Sequence, residues 1–226
     1  MKLSIIMPVY NEQATILEII KKVDSIKIPD VEKELIIVDD GSTDGTREIL
    51  QGIKNHKVIF HEKNKGKSGA IFTGMENITG EIFLIQDADL EYNPEDYKTL
   101  LQAYKQGDAD AVYSSRLGLK KHKYMLHFIG NRFLTLLTNL LYRTNVEDLE
   151  CGYKIFKTDI LKKMKINAKG FDFDPEVTAK LLKKGYKIKQ VPISFNPRGF
   201  EEGKKIKWYK DGISAAWCLI KYRFKD

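Results

Sequence analysis

Two aspartates separated by one residue, Asp87 and Asp89, are the residues whose type and spacing most clearly suggest chemistry. They directly follow the apolar run IFLIQ, and alternate residues of an extended segment lie on the same side, about 6–7 Å apart at Cα. Two hard oxygen ligands with room for water and substrate phosphates suit Mg²⁺ or Mn²⁺. Because Asp-x-Asp tripeptides also occur in surface turns, it is their place at the end of a strand that favours a metal site.

Polar residues also follow the first two apolar runs of the sequence. Asp39 or Asp40, after the run LIIV, could bind a base or ribose edge of a nucleotide, although one of these acids could simply cap the next helix. The corresponding end of the first run carries Pro8, Tyr10, Asn11 and Glu12. Glu12 is also a residue type that the helix dipole favours at a helix start.

Two phosphate-binding motifs are excluded. Gly66–Lys67–Ser68 is similar to the end of a P-loop, but that motif needs a glycine five residues earlier, where His61 stands. No G-x-G-x-x-G segment occurs, so the common dinucleotide fingerprint is absent as well. We therefore expect Gly66 and Gly69 to permit a tight turn into a helix.

The elements that must position these residues alternate between strands and helices in the first half of the chain. Predicted strands are Leu3–Pro8, Glu34–Val38, Lys57–His61, Glu81–Ile85 and Ala109–Ser114. Predicted helices are Glu12–Ser25, Thr46–Lys54, Gly69–Ile78 and Pro94–Gln106. Repeated βα units predict an α/β fold with a Rossmann-like, mostly parallel sheet and helices on both faces. Ligands of such sheets bind outside the carboxyl ends of the strands, where the acids lie.

The second half has a different pattern. It predicts a long apolar helix over 124–142, a strand Tyr153–Phe156, a short helix near Ile160–Met164, a strand Lys187–Phe195 and a final helix Trp208–Phe224. Asp174–Pro175–Glu176 is typical of the N-cap, N1 and N2 positions of a helix that runs to Lys184. No internal repeat, low-complexity tract or flexible linker is evident.

Composition narrows the class of protein. The chain has 226 residues, of which 42% are hydrophobic and 31% charged, so it is able to build a core. Two cysteines exclude a disulfide scaffold. The N-terminal apolar run is too short for a secretory signal, and no stretch of eighteen apolar residues lacks a charge. We therefore expect a protein of the reducing cytoplasm without membrane-spanning helices.

The net charge of +7 is concentrated at the end of the chain, where residues 203–226 hold seven cations and two anions. In the last helix, apolar residues recur at steps of three and four: Tyr209, Ile213, Ala216, Trp217, Ile220 and Phe224. Basic residues beside Trp and Phe on one helix are typical of a segment that lies in a lipid headgroup layer. Packing of this helix and of the helix over 124–142 against the sheet is the alternative.

Taken together, these segments resemble the family 2 glycosyltransferases of the GT-A fold. The first half contributes IIMPVYNE, IIVDDGSTDGT, NKGKSGAIFTG and LIQDADLEYNPED. The second half resembles the dolichyl- or polyprenyl-phosphate mannose and glucose synthases through SSR, GNRF, DLECGYKIFK, GFDFDPE and VPISFNPRGFEEGKKIKW. The match covers nearly the whole chain, which resembles the soluble, peripherally attached type of this branch.

The resemblance implies an inverting, metal-dependent transfer of a hexose from a nucleotide diphosphate sugar, of the GDP-mannose or UDP-glucose type, to a polyprenyl or dolichyl phosphate. The reaction is expected at the cytoplasmic face of a membrane, with peripheral attachment, and a separate membrane protein is a further candidate partner. One GT-A catalytic domain would span residues 1–207, with a nucleotide-sugar-binding half (1–115) and an acceptor-binding half (116–207). Residues 208–226 would form the amphipathic basic helix.

The resemblance also implies candidate site residues, assigned one position at a time. Nucleotide-sugar-binding candidates are Pro8, Tyr10, Asn11, Glu12, Asp39, Asp40, Lys67, Asp87, Ala88, Arg198 and Lys205. Metal-binding candidates are Asp87, Asp89 and Glu91, and the carboxylate of Glu91 departs from the Gln that is frequent in the family. Catalytic candidates are Asp89, Arg116 and Arg132. Acceptor-binding candidates are Arg116, Arg132, Asp148 and Glu176.

Several alternatives stay open at the level of sequence. Arg132 could snorkel from an apolar helix or pair with Asp148, and Glu176 could only stabilise a helix N-terminus. The acceptor could be a saccharide hydroxyl in cell-surface glycan synthesis rather than a lipid phosphate. A basic nucleic-acid-binding protein is disfavoured, because it would need cations and stacking aromatics along a groove, whereas acids line the strand ends here.

Overall fold

The described strands form one mixed sheet in which the seven strands, numbered along the chain, lie in the order 3-2-1-4-6-5-7. The computed structural model describes residues 1–116, 125–170, 172–197 and 208–225. The strands are β1 (Lys2–Val9), β2 (Glu32–Asp39), β3 (Lys57–Phe60), β4 (Ile82–Ile85), β5 (Ala111–Ser115), β6 (Lys154–Lys157) and β7 (Ile188–Pro192). Neighbouring strands are parallel except where β6 pairs with β4 and β5. The predicted mostly parallel sheet is confirmed.

Helices cover both faces of this sheet, as predicted. They are α1 (Ile16–Ser25), α2 (Thr46–Gln51), α3 (Gly66–Met75), α4 (Tyr97–Lys105), α5 (Met125–Tyr142), α6 (Thr158–Lys162), α7 (Phe173–Lys183) and α8 (Trp208–Phe224). Side chains of β1 alternate between the two resulting cores. Ile5 and Met7 pack with α1 and α4 on one face, and Ile6 packs with α3 and α7 on the other. The central strand is therefore buried on both faces.

Helices α5 and α8 form a further layer outside α7. Ala215, Cys218 and Leu219 of α8 share a buried cluster with Leu134 of α5 and Ala179 of α7. The prediction that α8 spans Trp208–Phe224 is confirmed. Since these two helices pack on each other and on α7, the alternative that both pack on the sheet is wrong. No helix of the described residues is long and apolar enough to span a membrane.

Several helix starts differ from the prediction. Helix α4, predicted from Pro94, begins at Tyr97 after a 3₁₀ turn over Pro94–Asp96, and α6, predicted near Ile160, begins at Thr158. Helix α7 begins at Phe173 with Asp172 at the N-cap, because Phe173 is buried in the core and extends the helix. Asp174, predicted as the cap, instead accepts a hydrogen bond from Lys154 Nζ at 2.7 Å. Helix α1 begins at Ile16, after the predicted start. Helix α3 begins at Gly66, where a φ of +80° confirms the expected glycine turn.

Candidate functional site

A cleft of about 410 Å³ lies where β1, β2 and β4 end, at the carboxyl edge of the sheet. Ten predicted residues line it: Pro8, Tyr10, Glu12, Asp40, Lys67, Asp87, Ala88, Asp89, Glu91 and Arg116. The lining also includes residues that were not predicted: Val9, Asn64, Gly66, Ala70, Tyr92, Glu150, Cys151, Gly152 and Asp174. The edge of the sheet therefore brings together polar residues that are far apart in sequence, as open α/β sheets do.

Asp87 and Asp89 lie on the short segment that leaves β4. Lys67, from the first turn of α3, places its Nζ 2.6 Å from Asp87 Oδ1. Burial opposes the charge of Lys67, but Asp87 and then Asp174 outweigh burial and raise its pKa. Asp89 Oδ1 accepts a hydrogen bond from the backbone N–H of Glu91 at 3.1 Å. A cation and several carboxylates thus share one wall of the cleft.

These carboxylates fit a divalent cation that is shared with a bound ligand. The described residues contain no group of three or more His, Cys, Asp or Glu side chains placed to hold a metal ion together. Mg²⁺ usually takes only one or two protein carboxylates and fills its other positions with waters and substrate phosphates. Asp87 and Asp89, two hard oxygen donors lining one open cleft, match that donor set.

The two acids that follow each other at the end of β2, Asp39 and Asp40, have different environments. Asp39 is fully buried, and its carboxylate accepts hydrogen bonds from Arg47 Nε at 2.8 Å and from the Ser42 backbone at 3.2 Å. Asp40 lines the cleft, and its Oδ1 lies 2.7 Å from His61 Nδ1. The structure therefore places Asp40, and not Asp39, at the cleft surface.

Asn11 is also set back from the cleft. It adopts a left-handed φ of +52°, and its side-chain oxygen accepts a hydrogen bond from the Thr43 backbone at 2.8 Å. This contact ties the loop after β1 to the loop after β2. Asn11 thereby holds Tyr10 and Glu12, its two neighbours, at the cleft wall.

Arg116 enters the cleft from the end of β5 and is held by Asp148. Its Nε and Nη2 donate to the two carboxylate oxygens of Asp148, each at 2.8 Å. Asn131 of α5 donates to Asp148 Oδ1 at 2.8 Å. Burial alone would raise the pKa of Asp148, but the hydrogen bonds from Arg116 outweigh it and hold that pKa below its usual range. Asp148 does not line the cleft; it orients the arginine that does.

The remaining acceptor candidates lie elsewhere. Glu176 is buried in α7, where its Oε1 accepts hydrogen bonds from the Asn167 backbone at 2.8 Å and from Lys180 Nζ at 2.5 Å. It lies outside the cleft lining. Arg132 is exposed on α5 and also lies outside the lining, and no pairing with Asp148 is found in the described residues. Arg198 and Lys205 lie outside the described residues.

Sequence reasoning missed Glu150, Asp174 and Lys154 as parts of the site. Lys154 is fully buried and donates to Asp174 Oδ1 at 2.7 Å and to the Cys151 carbonyl at 2.6 Å. Burial, with the negative charge of Asp174, raises the pKa of Glu150 to about 7. A pattern that could have identified these residues is a charged side chain between apolar ones, as in the segments DLECGYKIFK and GFDFDPE. Their convergence on the cleft follows from the antiparallel direction of β6. The pattern predicted this strand, at Tyr153–Phe156, but not its direction.

An exposed apolar surface lies on α5 and α8. Among the side chains that the structure describes, from 128 onward in α5 and from 212 onward in α8, each helix leaves four large apolar ones outside the shared core, at steps of four, three and four. Their exposed fractions lie between 37% and 77%, and they are Ile129, Phe133, Leu136 and Leu140 on α5 and Ile213, Trp217, Ile220 and Phe224 on α8. Exposed apolar side chains at this density mark contact sites rather than ordinary surface.

Comparison with known sequences finds one family and several relatives. Residues 4–165 match the family described as Glycosyl transferase family 2. The low-salt glycan biosynthesis hexosyltransferase Agl6 of Haloferax volcanii is 31% identical over 215 residues, which are 93% of this chain and 51% of that protein. An uncharacterized protein of Methanocaldococcus jannaschii is 32% identical over 238 residues, covering 98% of this chain and 99% of that one.

Two further similarities complete the comparison. The dolichol-phosphate mannosyltransferase of Pyrococcus furiosus is 28% identical over 212 residues, covering 90% of this chain and 59% of that protein. The chain therefore spans a little over half the length of this relative and of Agl6. Glucosyl-3-phosphoglycerate synthase from Mycobacterium tuberculosis, solved with Mn²⁺, UDP and phosphoglyceric acid, matches 100% of this chain and 79% of that one with a TM-score of 0.76. At 19% identity this match establishes the GT-A fold.

Proposed function

The chain belongs to glycosyltransferase family 2, and we propose that it transfers a hexose, with inversion, from a nucleotide diphosphate sugar to a polyprenyl or dolichyl phosphate. The observation that supports this proposal is a single cleft lined by the aspartate pair, Asp87 and Asp89, and by the cationic side chain of Arg116. The buried acid Asp148 holds this arginine in place. The first half of the chain would bind the donor and residues 116–207 the acceptor.

The donor would occupy the wall formed by the loops after β1, β2 and β4. Asp40 and Tyr10 line this wall, and Asp40 is fixed by His61 Nδ1 at 2.7 Å. A carboxylate held in this way offers an acceptor to the donor groups of a nucleotide base or ribose. Lys67 supplies a positive charge next to Asp87, where the diphosphate would lie.

A divalent cation held by Asp87 and Asp89 would neutralise negative charge on the departing nucleoside diphosphate. The protein groups around it are already in place, since Lys67 is held by Asp87 and lies at the start of α3. Groups fixed where charge develops stabilise a transition state without reorganising. The synthase comparison is consistent with this chemistry, because the solved synthase was bound to Mn²⁺ and UDP.

Arg116 is the group best placed for an anionic acceptor. Its guanidinium lines the cleft, and its Asp148 partner leaves part of it free to face the cavity. A lipid phosphate is already anionic at neutral pH, so binding and orientation matter more than removal of a proton. The relative named as a dolichol-phosphate mannosyltransferase is consistent with such an acceptor.

The exposed apolar surface of α5 and α8 would rest on an anionic lipid surface. Lys221 and Arg223 lie beside the apolar residues of α8, which is the composition of a helix in a headgroup layer. Arg132, exposed on α5 one residue before Phe133, would face the same headgroups. Asn131 of α5 contacts Asp148, the acid that holds Arg116, so the helix that would meet the lipid surface also contacts the acceptor side of the cleft.

A saccharide hydroxyl is the second candidate acceptor. The observation in its favour is the 31% identity to Agl6, which is named for glycan biosynthesis. A hydroxyl acceptor gains from a general base, by about 10²–10⁴-fold, whereas a phosphate does not need one. The two acceptors are therefore separable by direct assay.

A donor and acceptor panel tests the proposal. Release of UDP or GDP would be measured from UDP-glucose and GDP-mannose, with and without polyprenyl phosphate in detergent, and with and without EDTA. We expect polyprenyl phosphate to stimulate release, and EDTA or Asp89→Ala to abolish it. Asp108→Ala, a change at an exposed acid outside the cleft, should leave the rate unchanged. Full activity of Asp89→Ala would refute the metal assignment, and stimulation by saccharides alone would favour the second acceptor.

Vesicle co-sedimentation tests the membrane surface. Trp217→Ser combined with Ile213→Ser should reduce binding to vesicles that contain phosphatidylglycerol by at least fivefold, because both side chains are mostly exposed. The melting temperature should be unchanged. Leu17→Ser, at an exposed apolar residue of α1, is the matched control and should bind like the unmodified chain. Equal binding of all three proteins would refute the surface.

A further inference from the structure

One carboxyl oxygen of the cleft has no hydrogen-bond partner in the part of the chain that the structure describes. Glu150 lines the cleft, its Oε1 is shielded from solvent, and no group of the described residues is within hydrogen-bond distance of that atom. Buried polar atoms in folded proteins are almost always hydrogen-bonded, so each unpaired one needs an explanation. A ligand that supplies the missing hydrogen bond is the explanation that the position of Glu150 in the cleft wall favours.

The backbone of Glu150 is fixed from two sides. Its N–H donates to Asn131 Oδ1 at 3.2 Å, and its carbonyl accepts from Arg116 Nη2 at 2.9 Å. Both contacts belong to the set of hydrogen bonds that holds Asp148. The side chain of Glu150 therefore starts from an anchored backbone, as expected for a group that must meet a ligand in one orientation.

The cations near Glu150 are already paired with other acids. Arg116 pairs with Asp148, and Lys154 pairs with Asp174. Asp174 lines the cleft beside Glu150 and adds negative charge. Two acids, Glu150 and Asp174, therefore meet at this part of the wall, and Arg116 contacts Glu150 at its carbonyl and not at its carboxyl group. They disfavour an anionic ligand beside the carboxyl group of Glu150 and favour a neutral group that donates hydrogen bonds. The hydroxyl groups of a sugar ring have this chemistry.

We propose that Glu150 accepts a hydrogen bond from a hydroxyl of the transferred hexose and thereby helps to select the donor sugar. The inference rests on the proposed function, because it takes the hexose of a nucleotide sugar as the occupant of this part of the cleft. It goes beyond that function in assigning Glu150 as a residue that contacts the sugar and not the nucleotide. A hydroxyl bound to a buried acceptor gives strong discrimination, since an analogue without it leaves the acceptor unpaired.

Calorimetric titration of Glu150 variants tests this assignment. UDP, GDP, UDP-glucose and GDP-mannose would be titrated in the presence of Mn²⁺ into the full chain and into Glu150→Ala and Glu150→Gln. For Glu150→Ala we expect Kd for the preferred nucleotide sugar to rise about 10- to 100-fold, while Kd for the matching nucleoside diphosphate changes less than twofold. Glu150→Gln keeps an amide oxygen as acceptor and should stay within about fivefold of the unmodified chain. Glu147→Gln, at an exposed residue nearby, is the control.

The outcomes are distinct. Equal weakening of the sugar nucleotide and the diphosphate, or no weakening of either, would overturn the role of Glu150. A kcat loss in Glu150→Gln as large as in Glu150→Ala, with donor binding intact, would identify a proton acceptor and also overturn the proposal. Loss of fold is monitored by the melting temperature, which should not fall when a carboxyl group with an unpaired buried oxygen is removed. If the unmodified chain binds no nucleotide or nucleotide sugar, the proposed function fails first, and this inference fails with it.

Discussion

The pairing of Arg116 with Asp148 makes a strong prediction about stability. Asp148→Asn removes the negative charge while keeping the shape of the side chain. Asp148 is 2% exposed and accepts hydrogen bonds from the backbone N–H, Nε and Nη2 of Arg116 and from Asn131. In the variant, the amide NH₂ group faces donors, and the half-buried guanidinium loses its counter-charge.

The expected loss of folding stability in Asp148→Asn follows from the burial of Asp148. Breaking a buried ion pair by removal of one partner costs about 3–5 kcal/mol. Because Asn keeps one oxygen acceptor, we expect the lower end, about 3 kcal/mol. For a chain of this size about 1 kcal/mol corresponds to a shift of roughly 2–4 °C, so the melting temperature should fall by about 6–12 °C. Thermal unfolding followed by circular dichroism measures this directly.

Asp108→Asn is the matched control for this experiment. Asp108 pairs with Lys189 at 3.2 Å, but its side chain is 63% exposed. Exposed ion pairs contribute about 0–1 kcal/mol, so the control should melt within about 4 °C of the unmodified chain. Equal melting temperatures for Asp148→Asn and Asp108→Asn would refute the reasoning. Asp148→Asn should also raise KM for the acceptor phosphate, because Arg116 loses the partner that orients it.

Three further predictions concern acid stability, packing and thiol reactivity. Burial alone would raise the pKa of Glu34, but its hydrogen bonds lower that pKa to about 2 from 4.5. The stabilisation by Glu34 is therefore present above pH 4.5 and lost toward pH 2. Glu34→Gln should flatten that part of the curve of melting temperature against pH. A Cβ at Gly74 would collide with Ile6 Cγ2, so Gly74→Ala should lower the free energy of unfolding in urea by about 1–3 kcal/mol. Gly130 has open space where a Cβ would lie, so Gly130→Ala should leave this free energy unchanged or raise it. Burial raises the pKa of the Cys151 thiol to about 11 and that of the Cys218 thiol to about 12. Ellman's reagent should therefore react with neither thiol in the folded chain at pH 7 and with both in urea. Rapid reaction of the folded chain would contradict the burial of the thiols.

Much of the fold was predictable because its signals are local. The β-branched runs of β1 and β2 and the step of three and four residues along α8 each determine an element from neighbouring residues. The start of α7 was not predicted correctly, because Phe173 gains more by entering the core than Asp174 gains by capping the helix. The antiparallel placement of β6 depends on pairing between residues far apart in sequence, which no local pattern contains.

The site was predictable to the extent that its residues follow strands directly. Asp87 and Asp89 reach the cleft because β4 ends just before them. Asp39 was expected at the cleft, but Arg47, the second residue of α2, pairs with its carboxylate, which is buried. Glu150 reaches the cleft through tertiary packing alone, since its backbone is held by residues 19 and 34 positions away. A sequence pattern does not contain such contacts.

The central claim is that Asp87 and Asp89 bind a divalent cation together with the diphosphate of a nucleotide sugar. A crystal structure with Mn²⁺ and UDP or GDP tests it most directly, because the anomalous signal of manganese locates the ion without reference to activity. The account predicts a manganese peak in contact with at least one of the two aspartates and with diphosphate oxygens, with Lys67 Nζ still close to Asp87 and to the diphosphate. A nucleotide bound outside this cleft, or manganese held only by other residues, would contradict it.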